Sequence, residues 1–175
     1  MSRTMRLVAV LLAMCAGSAF ANSPEKETNF VGRPSPAFET TDIAGTPVAS
    51  AKLFDAGKVV VLNFWGLRCG ACIAEMPSLN DLHERYKGRV VLLGVNNDGV
   101  DGPFLAKQIG KMNLKISYTI VPDPEMKLVD LFKMTVAPLT LVMDPKGTVR
   151  YQHVGYAPGD EKELEAAVKS LLEEK

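Results

Sequence analysis

A nearly continuous apolar run, Val59-Val60-Val61-Leu62-Asn63-Phe64, stands just ahead of Cys69-Gly70-Ala71-Cys72, and a helical pattern carries on to Tyr86. An apolar, β-branched run without alternation is expected of a central strand covered on both faces. A buried strand feeding a C-x-x-C pair at the mouth of a helix points to a mixed α/β domain. It also constrains the chemistry. The two sulfurs fall on one side of the first helical turn, close enough to bridge after small adjustments. Cys69 sits where unpaired backbone N–H groups and about half a positive charge favour thiolate over thiol. Cys72, deeper in the helix, is expected to be shielded. The pattern therefore predicts Cys69 as attacking nucleophile and Cys72 as resolving thiol.

Two blander uses of the pair are a zinc site and a structural bridge. A zinc site needs further ligands, and outside residues 1–21 the only histidines are His83 and His153, without ligand-like spacing. A purely structural bridge closing so short a loop would stabilise little. Redox exchange is the better reading, with no metal and no cofactor expected.

Cys72, Glu75, Leu79, Leu82 and Tyr86 are spaced 3, 4, 3 and 4, one stripe of a helix. The rest of that stripe is apolar, so Glu75 is expected to be at least partly buried beside Cys72. Burial raises a carboxyl pKa and would let Glu75 exchange a proton with the resolving thiol. A rim carboxylate reaching solvent, or one held by a lysine, is the alternative. Arg68 immediately precedes the nucleophile, placed to stabilise its thiolate, to guide an acidic partner, or simply to be solvated. Trp65, the only tryptophan, reads as part of the loop before the motif, covering the site or packing, with packing favoured. Pro77 falls inside the helix and is expected to kink it. Pro138, in Val136-Ala137-Pro138-Leu139-Thr140, precedes a strand.

The first 21 residues read as an address. Arg3 and Arg6 precede the apolar stretch Leu7–Met14, and small residues follow to Ala19-Phe20-Ala21. That is a secretory signal peptide with cleavage expected after Ala21. The apolar stretch is shorter than the roughly 20 residues that span a bilayer. Cys15, after Leu12-Ala13-Met14, resembles a lipoprotein processing site, although Met14 is bulky where that pattern wants a small residue. A lipid-anchored form is the consequence if Cys15 is processed. Loss of residues 1–21 removes two bases and no acid, leaving 18 basic against 20 acidic residues and a single cysteine pair. Such a balance carries no electrostatic footprint for nucleic acid or for an anionic membrane surface.

Further along, residues 22–32 are polar and read as a tether, and residues 33–175 as one domain. Phe38–Asp42 and Thr46–Val48 flank an Ala44-Gly45 turn and read as a hairpin. Val90–Val95 is a second buried strand. Pro103–Lys111 and Pro124–Phe132 read as helices either side of a short strand, Tyr118–Val121. Leu139–Met143, a turn at Asp144-Pro145-Lys146-Gly147, and Thr148–Tyr151 form a second hairpin. Glu161–Leu172 closes the chain as an amphipathic helix.

Phe64-Trp65, Cys69-x-x-Cys72, Glu75-Met76-Pro77 and Ala137-Pro138-Leu139-Thr140 together resemble the thioredoxin superfamily. Within it the chain is most similar to extracytoplasmic thiol–disulfide oxidoreductases of the ResA/TlpA type, associated with cytochrome c maturation. The resemblance spans about residues 30–175, including the hairpin and an extra segment around residues 98–132. It implies a thioredoxin fold, a central mixed β-sheet flanked by helices, with an N-terminal β-hairpin and a central insertion. It implies a cis Pro138 packed against a Cys69–Cys72 disulfide, with the backbone at Ala137 and Pro138 holding an extended substrate strand by β-augmentation. It supports a role for Glu75, which this branch typically carries. Three positions depart from thioredoxin: Asn63 replaces a buried aspartate, Arg68 a tryptophan, and Gly70-Ala71 a pair containing proline.

The resulting expectation is an exported thiol–disulfide oxidoreductase, monomeric, reducing protein disulfides. The resemblance names the oxidised CxxCH haem-attachment site of apocytochrome c as substrate and a membrane electron donor for re-reduction. A general periplasmic reductase or isomerase is the neighbouring alternative. A copper metallochaperone with His153 as third ligand is the alternative from another class, against which stands the two-residue spacing of the cysteines. A peroxiredoxin fits less well, because no proline-and-threonine environment precedes Cys69.

Overall fold

The central strand forms as its composition demands, and every residue of Val59–Trp65 is buried. The computed structural model describes residues 28–174. The expected signal peptide, Cys15 and residues 22–27 of the tether therefore lie outside the described residues.

In chain order the elements are β1 (Glu39–Thr41), β2 (Pro47–Ala49), α1 (Ser50–Asp55), β3 (Val59–Trp65), α2 (Gly70–Arg85), β4 (Val90–Asn96), α3 (Gly102–Lys111), β5 (Thr119–Pro122), α4 (Lys127–Leu131), β6 (Leu139–Met143), β7 (Val149–Val154) and α5 (Glu161–Glu173). β1 and β2 make the N-terminal hairpin, and the other five strands form one mixed sheet in the order β5-β4-β3-β6-β7. β3 runs parallel to β4 and antiparallel to β6. This is the thioredoxin-like α/β architecture, with β4 to β6 joined through α3, β5 and α4.

Alternation along β3 divides the core in two. Val59, Val61 and Trp65 face one layer with Cys72, Met76, Leu79 and Leu82 of α2 and Leu164, Val168 and Leu171 of α5. Val60, Leu62 and Phe64 face the other, where Phe132 contacts Phe30, Phe38 and Phe64 at ring-centroid distances of 5.9, 6.1 and 5.5 Å. Asn63 lies on the same side of β3 as Val61 and Trp65, and it is the one polar residue in the strand.

Four local features differ from the expectation. Trp65 is the last residue of β3 and fully buried, so it belongs to the strand and not to the loop. The helix expected from Pro124 starts only at Lys127: Met126 adopts a left-handed φ of 55°, and the Asp123 carboxylate caps the N–H groups of Leu128 and Val129 at 2.9 and 3.0 Å. α1 was not foreseen; its single buried residue is Ser50, whose hydroxyl accepts from Phe38 N–H at 3.0 Å. β7 continues three residues past Tyr151, to Val154, along β6.

From Thr28 onward the polar N-terminal stretch is bound to the domain. Gln152 receives Phe30 N–H at 2.8 Å and donates to the Thr28 carbonyl at 3.0 Å, while Gly32 N–H donates to the Val149 carbonyl at 2.8 Å. Burial of Phe30 against Phe132 explains why the chain is held there.

Antiparallel pairing places the start of β6 beside the end of β3, with Phe64 opposite Leu139 and Asn63 opposite Thr140. The residues on either side of Pro138 are thereby delivered to the loop that carries Cys69. Under that loop, Gly94 of β4 leaves the space filled by Tyr118, Ile120 and Trp65: a Cβ there would lie 2.8 Å from the Tyr118 ring and 3.3 Å from the indole nitrogen. Gly94→Ala should therefore destabilise the domain by about 1–3 kcal/mol through overpacking. The check is a lower urea midpoint at unchanged m-value.

Candidate active site

The turn from β3 into α2 is held open for a cysteine by local hydrogen bonding. Cys69 is the N-cap of α2 with extended backbone, φ −93° and ψ 100°, and its sulfur accepts the Cys72 N–H at 3.1 Å. Cys69 and Cys72 form a disulfide across a Cα–Cα distance of 5.2 Å. Their exposure is unequal: Cys69 is half-buried, whereas Cys72 is 1% exposed.

The preceding loop is fastened to the neighbouring β4–α3 connection. The Asp98 carboxylate accepts Leu67 N–H and the Asn96 side-chain amide, each at 2.7 Å. Gly66 permits this approach, because a Cβ there would lie 2.8 Å from the Asn97 side-chain oxygen. Asp98 carried no signal in the sequence, since its partner is separated from it by 31 residues.

On the other side of the disulfide the Ala137–Pro138 peptide bond is cis. The Ala137 carbonyl oxygen lies 3.8 Å from Cys69 Sγ. Ala137 is half-buried and Pro138 buried, while Arg68 is exposed beside Cys69 and Trp65 lies wholly beneath the loop. The structure thus brings Cys69, Cys72, Ala137 and Pro138 together, with Cys72 and Pro138 buried and Arg68 exposed next to Cys69. Trp65 is a packing residue with no exposed face.

Glu75 lies on the buried side of α2, 4% exposed, as the stripe predicted. Asn63 Nδ2 donates to Glu75 Oε2 at 3.0 Å and to Thr140 Oγ1 at 2.9 Å, and Thr140 Oγ1 donates to Glu75 Oε1 at 3.2 Å. Three elements, β3, α2 and β6, thereby close a ring of polar contacts inside the apolar layer. Desolvation outweighs both hydrogen bonds and pushes the Glu75 carboxyl up from 4.5 to about 7. In the sequence Thr140 is legible as a strand residue and as the end of the Ala137–Thr140 motif, and its contact with Glu75 depends on the β3–β6 register.

His153, the third ligand that a copper site would need, pairs through Nε2 with Asp160 Oδ2 at 3.0 Å and lines a cavity shared with Glu75. Among the described residues no group of three or more His, Cys, Asp or Glu side chains is placed to hold a metal ion. None of the helices among those residues is long and apolar enough to cross a membrane.

Residues 31–152 match the family model of the AhpC/TSA family. The chain is 33% identical over 147 residues to the thiol-disulfide oxidoreductase ResA of Geobacillus kaustophilus, covering 82% of this chain and 81% of that protein. To ResA of Bacillus cereus it is 27% identical over 158 residues, with 88% and 89% covered. A crystal structure from Chlorobium tepidum, described as a DsbE-type thiol:disulfide interchange protein, superposes with a TM-score of 0.74 at 27% identity, covering 83% of this chain and 99% of that one.

A carboxyl whose pKa is raised by folding binds its proton more tightly in the native state, so stability falls as pH rises from 4.5 through about 7. The loss amounts to about 3 kcal/mol above that range. Glu75→Gln keeps the shape and removes the titration. Urea unfolding of the oxidised proteins should show the variant gaining on the wild type as pH rises across this window, with a constant difference beyond it.

Proposed function

The chain belongs to the AhpC/TSA family and, within it, to the ResA-type thiol–disulfide oxidoreductases, and from that premise we propose that it reduces protein disulfides outside the cytoplasm. The unequal burial of the two sulfurs carries the assignment of roles. Cys69, half-exposed and capped by Cys72 N–H, attacks as thiolate one sulfur of a partner disulfide. That S–S bond breaks, a Cys69–partner disulfide forms, and the partner's other sulfur leaves as thiolate. Cys72 passes its proton to Glu75, attacks Cys69 Sγ, and expels the second partner sulfur. The products are the Cys69–Cys72 disulfide and a partner dithiol, so two electrons move from this protein to its partner.

Glu75 suits the proton step because an acceptor near pKa 7 can both take and release a proton at neutral pH. A partner chain extended along Ala137 and Pro138 would lie over Cys69, since the Ala137 carbonyl is already against its sulfur. Arg68, beside the nucleophile and exposed, supplies a positive charge at that docking edge. The basic, apolar and Ala19-Phe20-Ala21 segments of residues 1–21 support export with cleavage after Ala21. The substrate we favour is the oxidised CxxCH site of apocytochrome c, with a membrane electron donor restoring the Cys69–Cys72 dithiol.

Cys69→Ser should abolish disulfide exchange altogether. Cys72→Ser should instead accumulate mixed disulfides, and their identification by mass spectrometry from the host tests the substrate. Recovery of apocytochrome c is the expected result, whereas a broad set of exported proteins would make this a general reductase or isomerase.

A further inference from the structure

Behind the Glu75 carboxyl lies a cavity of about 10 Å³, the room needed by about one water. Thr140, Tyr151, His153 and Asp160 line it together with Glu75. The β6–β7 register explains the grouping. Thr140, which donates to Glu75, is the direct partner of His153, so their side chains stand on one face about 5 Å apart at Cβ. Tyr151, two residues earlier on β7, projects on that same face and stacks on His153, with ring centroids 6.3 Å apart and planes 9° from parallel.

Two observations make this more than a packing arrangement. The Tyr151 hydroxyl is buried and has no hydrogen-bond partner among the described residues, an arrangement that costs stability unless a water occupies the cavity beside it. At the outer end, His153 and Asp160 are paired with side-chain exposures of 28% and 31%, so the imidazole touches both the cavity and solvent. The Ala157 N–H, at 2.7 Å from Asp160 Oδ2, holds the Asp160 carboxyl below its usual range. With Asp160 ionised, the His153 Nε2 that faces it at 3.0 Å is the donor of that pair.

We propose that Tyr151, His153 and Asp160 form the outlet through which Glu75 exchanges its proton with solvent. The inference rests on the reading of Glu75 as the proton acceptor for Cys72. In the resolving step Cys72 S–H becomes thiolate and Glu75 becomes the acid. Glu75 then passes that proton through a water held by Tyr151 to His153, and His153 releases it outside. No electron moves in this part of the cycle. Of the other groups around Glu75, Asn63 and Thr140 are donors to it, and the Tyr118 phenol is buried with its pKa pushed up. Tyr156 and Glu161, at the rim of the cavity, bond to one another at 3.3 Å.

Reduced protein, equilibrated at mildly acidic pH, is mixed with an aromatic disulfide in mildly alkaline buffer. Two bursts of released thiolate then report attack by Cys69 and resolution by Cys72. His153→Ala should slow the second burst by about tenfold, short of the ~10²-fold that full loss of a general base can bring, and leave the first unchanged. Tyr151→Phe, which deletes only the hydroxyl, should slow the second burst as well. Added imidazole should restore His153→Ala but not Glu75→Gln. A slowing of His153→Ala that imidazole does not relieve is structural and overturns the outlet. If Glu75→Gln slows the second burst while His153→Ala and Tyr151→Phe do not, the outlet is overturned and the base assignment stands. If Glu75→Gln leaves it unchanged, the base assignment falls and the outlet with it.

Discussion

Antiparallel pairing of β3 with β6 sets Asn63 opposite Thr140, and the candidate site depends on that register. A slip of one residue would turn Thr140 to the other face of the sheet and leave the Glu75 carboxyl with one donor in an apolar layer. The same register brings Leu139 level with Phe64, and so places Ala137 and Pro138 over the loop that carries Cys69. One strand pair therefore positions the docking edge above the disulfide and the polar ring beneath it.

The polar ring is a balance of opposing effects. Burying a carboxyl in the apolar layer between β3 and α2 disfavours its charge, while two hydrogen bonds favour it. Desolvation wins, but only by enough to bring the group near neutrality. An aspartate on β3 would place the acid on the sheet; here Asn63 is the donor and α2 carries the acid, three residues from Cys72 on the helical stripe. Acid and resolving thiol then share one rigid element, so their relative placement is insensitive to motion of the loops around them. Helix α2 in turn is set by the fully buried β3 below it and by the Asp98 contact that holds the intervening loop.

Local chemistry made much of this legible. The nearly continuous apolar run, the cysteines at the helix start and the stripe through Glu75 each depend on residues within one turn or one strand of each other. Boundaries were less legible. Trp65 was assigned to a loop because an aromatic at the end of a strand and one just beyond it look alike in sequence. The helix near Pro124 is shorter than its pattern predicts because Met126 takes a left-handed conformation that its side chain does not announce. Short α1 lacks the length for a periodic signal, and its anchor is a hydrogen bond to Phe38, 12 residues away.

Sequence alone determined the redox pair, the asymmetry between its sulfurs and the burial of one acid, because each follows from helix or strand periodicity over a few residues. Tertiary structure decided which groups meet that acid. Asn63 and Thr140 are 77 residues apart, and His153 reaches the Glu75 cavity only through the pairing of β7 with β6. It also decided the surroundings of Cys69, where Ala137 arrives from 68 residues downstream. Periodicity reports which face a residue takes; only strand order and register, set by packing the whole core, report what stands opposite it.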